Sequence, residues 1–181
     1  MTTQTNYPTL ASLDYFAYLD EEGQINNTFQ GKVGVYAIFN EAKDLQFIGY
    51  SRDIYLSIKQ HFIRQPNQCY WLKVETINQP SRTILEAIRQ AWIAENGSTP
   101  AGNSSDLELW TQPINVKTMM LDEEKENYDK LAGDEFSQSK ALKKIARRVE
   151  GELLPVLEAR GLKEKLRFNP KLKETGLLDL K

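Results

Sequence analysis

Two short triplets stand out by residue type. Gly34-Val35-Tyr36 and Phe47-Ile48-Gly49 are separated by ten residues. A phenol at Tyr36, the single imidazole of the chain at His61, a carboxylate at Glu86 and a carboxamide at Asn103 follow in chain order. Such groups pass protons, hold cations or fix backbone by hydrogen bonding. Each also has a structural reading. Tyr36 fits an ordinary strand tyrosine, and His61 a hydrogen-bonded histidine beside an apolar stripe. Glu86 fits a half-buried ion pair with Arg82 or Arg89, and Asn103 a residue that satisfies loop backbone. Later in the chain, Lys140, Lys143, Lys144, Arg147 and Arg148 recur at steps of three and four. That face either tracks phosphates, with Lys143, Lys144, Arg147 and Arg148 as the nucleic-acid contacts, or is the solvated side of a packed helix. There is no Gly-rich phosphate loop, no Ser-His-Asp order and no paired-His metal motif.

The elements that must carry these groups follow from periodicity. Val33, Val35, Ala37 and Phe39 alternate through 32–40, which predicts a strand. A polar connection at 41–44 leads to a second strand over 45–50, so the two form a hairpin. Ser51 is the expected cap of a helix in which Ile54, Ile58 and Phe62 recur every fourth residue. A third strand is expected over 70–77. Ser81 then caps a second helix, whose stripe is Ile84, Leu85, Ile88, Ala91 and Trp92. The Gly, Ser, Asn and Pro content of 96–105 predicts a loop. A further strand within 110–120, a short acidic helix from Asp122 and a long helix from about Ser139 complete the expectation. Pro155 is expected to kink or interrupt that last helix.

Composition narrows the class. The chain has 181 residues, 40% hydrophobic and 27% charged, which suits a soluble globular protein. One cysteine, Cys69, permits no internal disulfide and no thiolate zinc site from this chain alone. This usage suits a reducing compartment, and with no signal-peptide pattern at the start the expected location is cytoplasmic. Residues 1–139 hold 11 Lys+Arg against 19 Asp+Glu, a net −8. Residues 140–181 hold 12 against 6, a net +6. A basic end on an acidic body calls for an anionic partner or for docking of one on the other.

The triplets on adjacent strands, the cap, the helical His, the later helical Glu and the Gly102-Asn103 pair resemble the GIY-YIG nuclease family over roughly residues 32–103. The resemblance implies an α+β fold: a small three-stranded, mainly antiparallel sheet flanked by helices near 53–65 and 82–95, with a C-terminal helical extension. It divides the chain into an N-terminal extension at 1–31 that packs on the domain, the domain itself at 32–105, and a helical extension with a basic C-terminal segment at 106–181. It also implies a catalytic set of Tyr36, His61, Glu86 and Asn103, with Glu86 as the ligand of Mg²⁺ or Mn²⁺ if the site is active. Two positions depart from the family pattern. Phe47 stands for its second tyrosine, and Ser57 for an arginine whose guanidinium takes up phosphate charge. The expectation is therefore a degenerate domain with lost or weakened cleavage, acting as a nucleic-acid or protein binding module. The alternative is an active metal-dependent endonuclease. No membrane partner is expected.

Overall fold

The computed structural model describes residues 6–181, so the first five residues of the expected N-terminal extension lie outside it. The chain forms two compact units, 1–111 and 112–181.

In the first unit the strands are β1 (Phe16–Ala17), β2 (Val33–Phe39), β3 (Leu45–Ser51) and β4 (Trp71–Ile77). They make one antiparallel sheet in the order β1-β4-β2-β3. The fold is α+β, but the sheet has four strands where the sequence predicts three. The extra edge is β1, only two residues long and paired to Trp71 and Leu72 from afar, so no local pattern announces it. The remaining elements are α1 (Ile54–Arg64), α2 (Arg82–Asn96) and α3 (Leu107–Thr111).

β2 is buried along all but its first residue, as a strand covered on both faces must be. Val35, Ala37 and Phe39 share a core with Ile48, Leu85, Ile88 and Trp92, so α2 covers that face. The intervening residues, Tyr36 and Ile38, point to the opposite face, where α1 lies. Gly34 is required by the close approach of β4: a Cβ there would sit 2.3 Å from the carbonyl oxygen of Glu75. The N-terminal segment is tied down rather than draped. Trp92 Nε1 donates to the Pro8 carbonyl at 3.1 Å, and the Glu95 carboxylate accepts the backbone N–H groups of Leu10 and Ala11, each at 2.9 Å.

The helix caps refine the expectation. α1 is capped by Asp53, whose side chain accepts from Leu56 N, and not by Ser51. Ser51 instead accepts the Asp53 backbone N–H at 3.1 Å, one step further out. Ser81 caps α2 as its position predicts, and Gly97 closes that helix in the left-handed region at φ 81°.

The second unit contains β5 (Ile114–Asn115), α4 (Asp122–Lys130), α5 (Glu135–Ala159), α6 (Pro170–Lys173) and β6 (Leu177–Leu178). β5 and β6 pair antiparallel. The strand expected in 110–120 is thus confined to two residues and followed by a 3-10 turn at Val116–Met119. α5 begins at Glu135, capped by Asp134, and runs unbroken through Pro155. The expected interruption is absent: Leu157 beyond the proline is 1% exposed, so packing holds the last turn in place. The apolar stripe of α5, Leu142, Ile145, Ala146, Val149 and Leu157, is buried as its spacing predicts. Among the described residues no helix is long and apolar enough to cross a membrane.

Candidate functional site

The site is built on β2, β3 and α1. Tyr36 reaches from β2 to α1, where its hydroxyl meets His61 Nε2 at 2.7 Å. His61 Nδ1 lies 2.9 Å from the Trp110 carbonyl oxygen. A carbonyl only accepts, so Nδ1 carries the proton, Nε2 is the acceptor, and the Tyr36 hydroxyl donates to it. All hydrogen-bonding capacity of the imidazole is spent inside the protein. Tyr36 is 3% and His61 4% exposed. Burial pushes the Tyr36 phenol above its ordinary range and pulls His61 down to about 3, the Arg64 cation adding to the latter effect. Both groups are therefore neutral near pH 7.

Phe47 shows why a second phenol is not needed for packing. Its ring stacks on Trp110 with centroids 5.2 Å apart and planes 3° off parallel, and lies 4.7 Å from the His61 ring. Gly49 keeps that cluster tight. A Cβ at position 49 would meet Phe47 Cε1 at 2.6 Å and the Tyr36 hydroxyl oxygen at 2.8 Å. Ser57 donates to Ser51 Oγ at 2.7 Å, and its hydroxyl opposes part of the burial effect on the Tyr36 phenol.

Asn103 joins the site from the loop after α2. Its Oδ1 accepts the Ile48 N–H at 2.8 Å, and its Nδ2 donates to the Ile48 carbonyl at 2.7 Å. The carboxamide thus acts as a peptide group set against β3. This is the backbone-satisfying role among the two readings of Asn103.

These residues border a cleft of about 320 Å³. Tyr36, Phe47, Ser57, His61 and Asn103 line it, together with Arg64, Arg89 and Leu107. No Asp or Glu is among its described lining residues. Arg64 Nη1 donates to the same Trp110 carbonyl that accepts from His61, at 3.1 Å. Sequence reasoning passed over Trp110 altogether and gave Arg64 and Arg89 no central part. The signal for Arg64 was present, since Ser57, His61 and Arg64 follow each other at steps of four and three on one helix. Nothing local marks Trp110, whose contacts cross 49 residues to His61.

Glu86 does not line the cleft. Arg89 holds its carboxylate through Nη2 at 2.5 Å and Nε at 3.1 Å, and Gln90 adds a bond at 2.9 Å. These bonds, Arg89 first, draw the Glu86 carboxyl down to about 2. The side chain is 38% exposed, so solvent screening makes this a weak contribution to stability. Divalent magnesium or manganese needs several oxygen ligands converging on one point. Among the described residues no group of three or more His, Cys, Asp and Glu side chains converges in this way, and the one carboxylate proposed as a ligand is already engaged. These residues do not fit such a metal.

The basic face of α5 is also partly committed. Arg148 bonds Glu124 at 2.7 Å, Glu152 at 2.9 Å and the Met119 carbonyl at 2.8 Å. Lys143 lies 3.8 Å from Glu174. Lys144 and Arg147 are exposed. Two of the four residues expected to contact nucleic acid thus hold their own unit together.

No family model matches the chain. The bifunctional monothiol glutaredoxin-S16, chloroplastic, of Arabidopsis thaliana is 36% identical over 76 residues, covering 40% of this chain. The chain spans about a quarter of the length of that relative, 26%. These findings overturn the assignment to the GIY-YIG nucleases, with the nuclease-derived function it implied, because the similarity is to a protein named for glutaredoxin. They lend no support to a nucleic-acid partner. Cys69 is the sole cysteine, fully buried, with its Sγ 3.6 Å from the His61 carbonyl oxygen.

Proposed function

We propose that the first unit is a recognition domain, not an enzyme, whose cleft takes up a compact oxyanion such as a carboxylate or phosphate group. The observation that carries this reading is the cleft's lining: the guanidinium groups of Arg64 and of Arg89, the latter shared with the Glu86 carboxylate just outside the lining, and no described carboxylate within it, in a unit that carries 8 Lys+Arg against 12 Asp+Glu. Local positive lining within an acidic unit is what selects an anion there. The Tyr36–His61 pair favours binding over turnover. Its proton is locked between two buried neutral groups whose ionisation burial opposes at both ends. The reading requires neither Mg²⁺ nor Mn²⁺. A reducing, cytoplasm-like compartment, in which Cys69 stays a thiol, is compatible with it.

Isothermal titration with inorganic phosphate and with citrate tests it. Binding is expected at low salt, weakened about tenfold or more in Arg64→Gln/Arg89→Gln and by 0.5 M NaCl. Absence of binding by either anion at low salt overturns the reading.

A second reading, thiol exchange through Cys69, is favoured by the identity to a glutaredoxin. It requires a thiolate that solvent can reach. A buried thiol reacts with a disulfide reagent only when the structure opens. Full labelling of the native protein within seconds by an aromatic disulfide, lost in Cys69→Ser, would establish the second reading over the first. Labelling that appears only in denaturant is the expected outcome.

A further inference from the structure

The cleft has an apolar lip as well as a cationic floor. Leu56 is 57% and Leu107 43% exposed. Leu56, Gln60 and Arg64 follow one another at steps of four, so they form a single row along α1, and Gln60 and Arg64 line the cleft. Leu107 and Thr111 stand in the same relation on α3 and both line it from that side. α1 and α3 pack against each other; Leu107 lines the cleft from α3, and Leu56 begins the α1 row that reaches the cleft at Gln60 and ends at Arg64.

The volume limits what can enter. About 320 Å³ is at the low end of small-ligand sites, enough for one or two side chains but not for the face of a folded partner. A small free anion would leave both leucines in water. A nucleic-acid strand would set a run of phosphates against an apolar rim. A peptide with one acidic side chain between apolar ones satisfies lip and floor together.

Resting on the recognition reading above, we propose that the physiological ligand of this cleft is a short acidic peptide segment of a partner protein, its carboxylate directed to Arg64 and Arg89 and its flanking apolar side chains laid on Leu56 and Leu107. The occupant is chosen by complementarity of charge at the floor and of apolar surface at the rim. The leucines supply affinity through the area they remove from water, and the guanidinium groups set the register of the segment.

Fluorescence anisotropy with a labelled twelve-residue peptide carrying one glutamate between leucines tests this. The controls are the same peptide with glutamine for glutamate, the same peptide with serines for the leucines, inorganic phosphate, and a twelve-nucleotide oligothymidine. The parent peptide should bind about tenfold or more tightly than either altered peptide. Leu56→Ser should lower the affinity for the parent peptide several-fold more than it lowers that for the serine-substituted peptide. Phosphate binding with no preference for the parent peptide over the serine peptide would overturn the peptide proposal and leave the recognition reading intact. Tighter binding of oligothymidine would do the same. Failure of every anion would overturn the underlying reading itself. The comparison among peptides holds whether or not the Leu56 variant folds.

Discussion

At the scale of single residues, His61 links the chemistry of the cleft to its stability. The imidazole is neutral in the folded protein, with its pKa lowered by burial to about 3 from the ordinary 6.5. The unfolded chain therefore takes up a proton between those values that the folded one refuses. Above pH 6.5 this group contributes no pH dependence. Below it the folding equilibrium should weaken by up to tenfold per pH unit until the folded value is approached. Urea midpoints at pH 7, 6 and 5 should show this slope in the unmutated protein and lose it in His61→Gln. The interval from pH 6.5 to 5 is informative because ordinary carboxyls do not yet titrate there. A flat profile would mean that His61 is not held neutral. In the sequence His61 was legible as a helical histidine beside an apolar stripe, with a structural reading open to it. Its partners were not legible, since Tyr36 is 25 and Trp110 is 49 residues away. The same holds for Glu86. Its ion pair with Arg89, three residues off, is one of the readings open in the sequence, with Arg82 as the other partner, whereas its exclusion from the cleft lining depends on how α2 packs.

Among the elements, α1 and α2 lie within a residue or two of the expected bounds, whereas α5 begins at Glu135, four residues before the expected Ser139. α1 and α2 match the expected helices because each has one apolar stripe, with Ser81 marking the start of α2. β1 was missed because two residues carry no period and their pairing is remote. Pro155 is expected to kink or interrupt α5 because its propensity opposes the helix interior, yet the helix continues through it, with Leu157 buried beyond. Gly151, in the same helix and four residues earlier, has nothing within 4 Å of the position a Cβ would take. Gly151→Ala should therefore stabilise the second unit by about 0.5–1 kcal/mol, through reduced freedom of the unfolded chain and better helix propensity. Thermal unfolding followed by circular dichroism would check this. A destabilised variant would mean that the missing side chain serves some contact the helix makes in solution.

On the scale of the whole molecule, charge is used internally before it is offered outside. The second unit carries 15 Lys+Arg against 13 Asp+Glu, and much of that is spent on pairs such as Arg148–Glu124 and Lys173–Glu150. The Arg148 guanidinium holds the Glu124 carboxyl below its ordinary range. The stabilisation this brings is present above the ordinary carboxylate pKa and is lost as pH falls through the lowered one. Arg148→Met keeps the length of the side chain but leaves Glu124 and the Met119 carbonyl short of a donor. It should cost about 1–2 kcal/mol at pH 7 and flatten the acid side of the stability profile. An unchanged melting temperature would show that the pair is worth no more than an exposed one. The carboxamide of Asn103 has a different meaning for the molecule as a whole. β3 is the last strand of its sheet, and a terminal strand displays N–H and C=O groups on which another polypeptide can align. Asn103 occupies one rung of that open ladder with both a donor and an acceptor. Replacing it by leucine keeps the bulk and frees the rung. Concentrated Asn103→Leu should scatter light and elute early on gel filtration where the unmutated protein stays dispersed, so the residue first singled out as a candidate for chemistry would instead serve to keep neighbouring molecules from joining strand to strand.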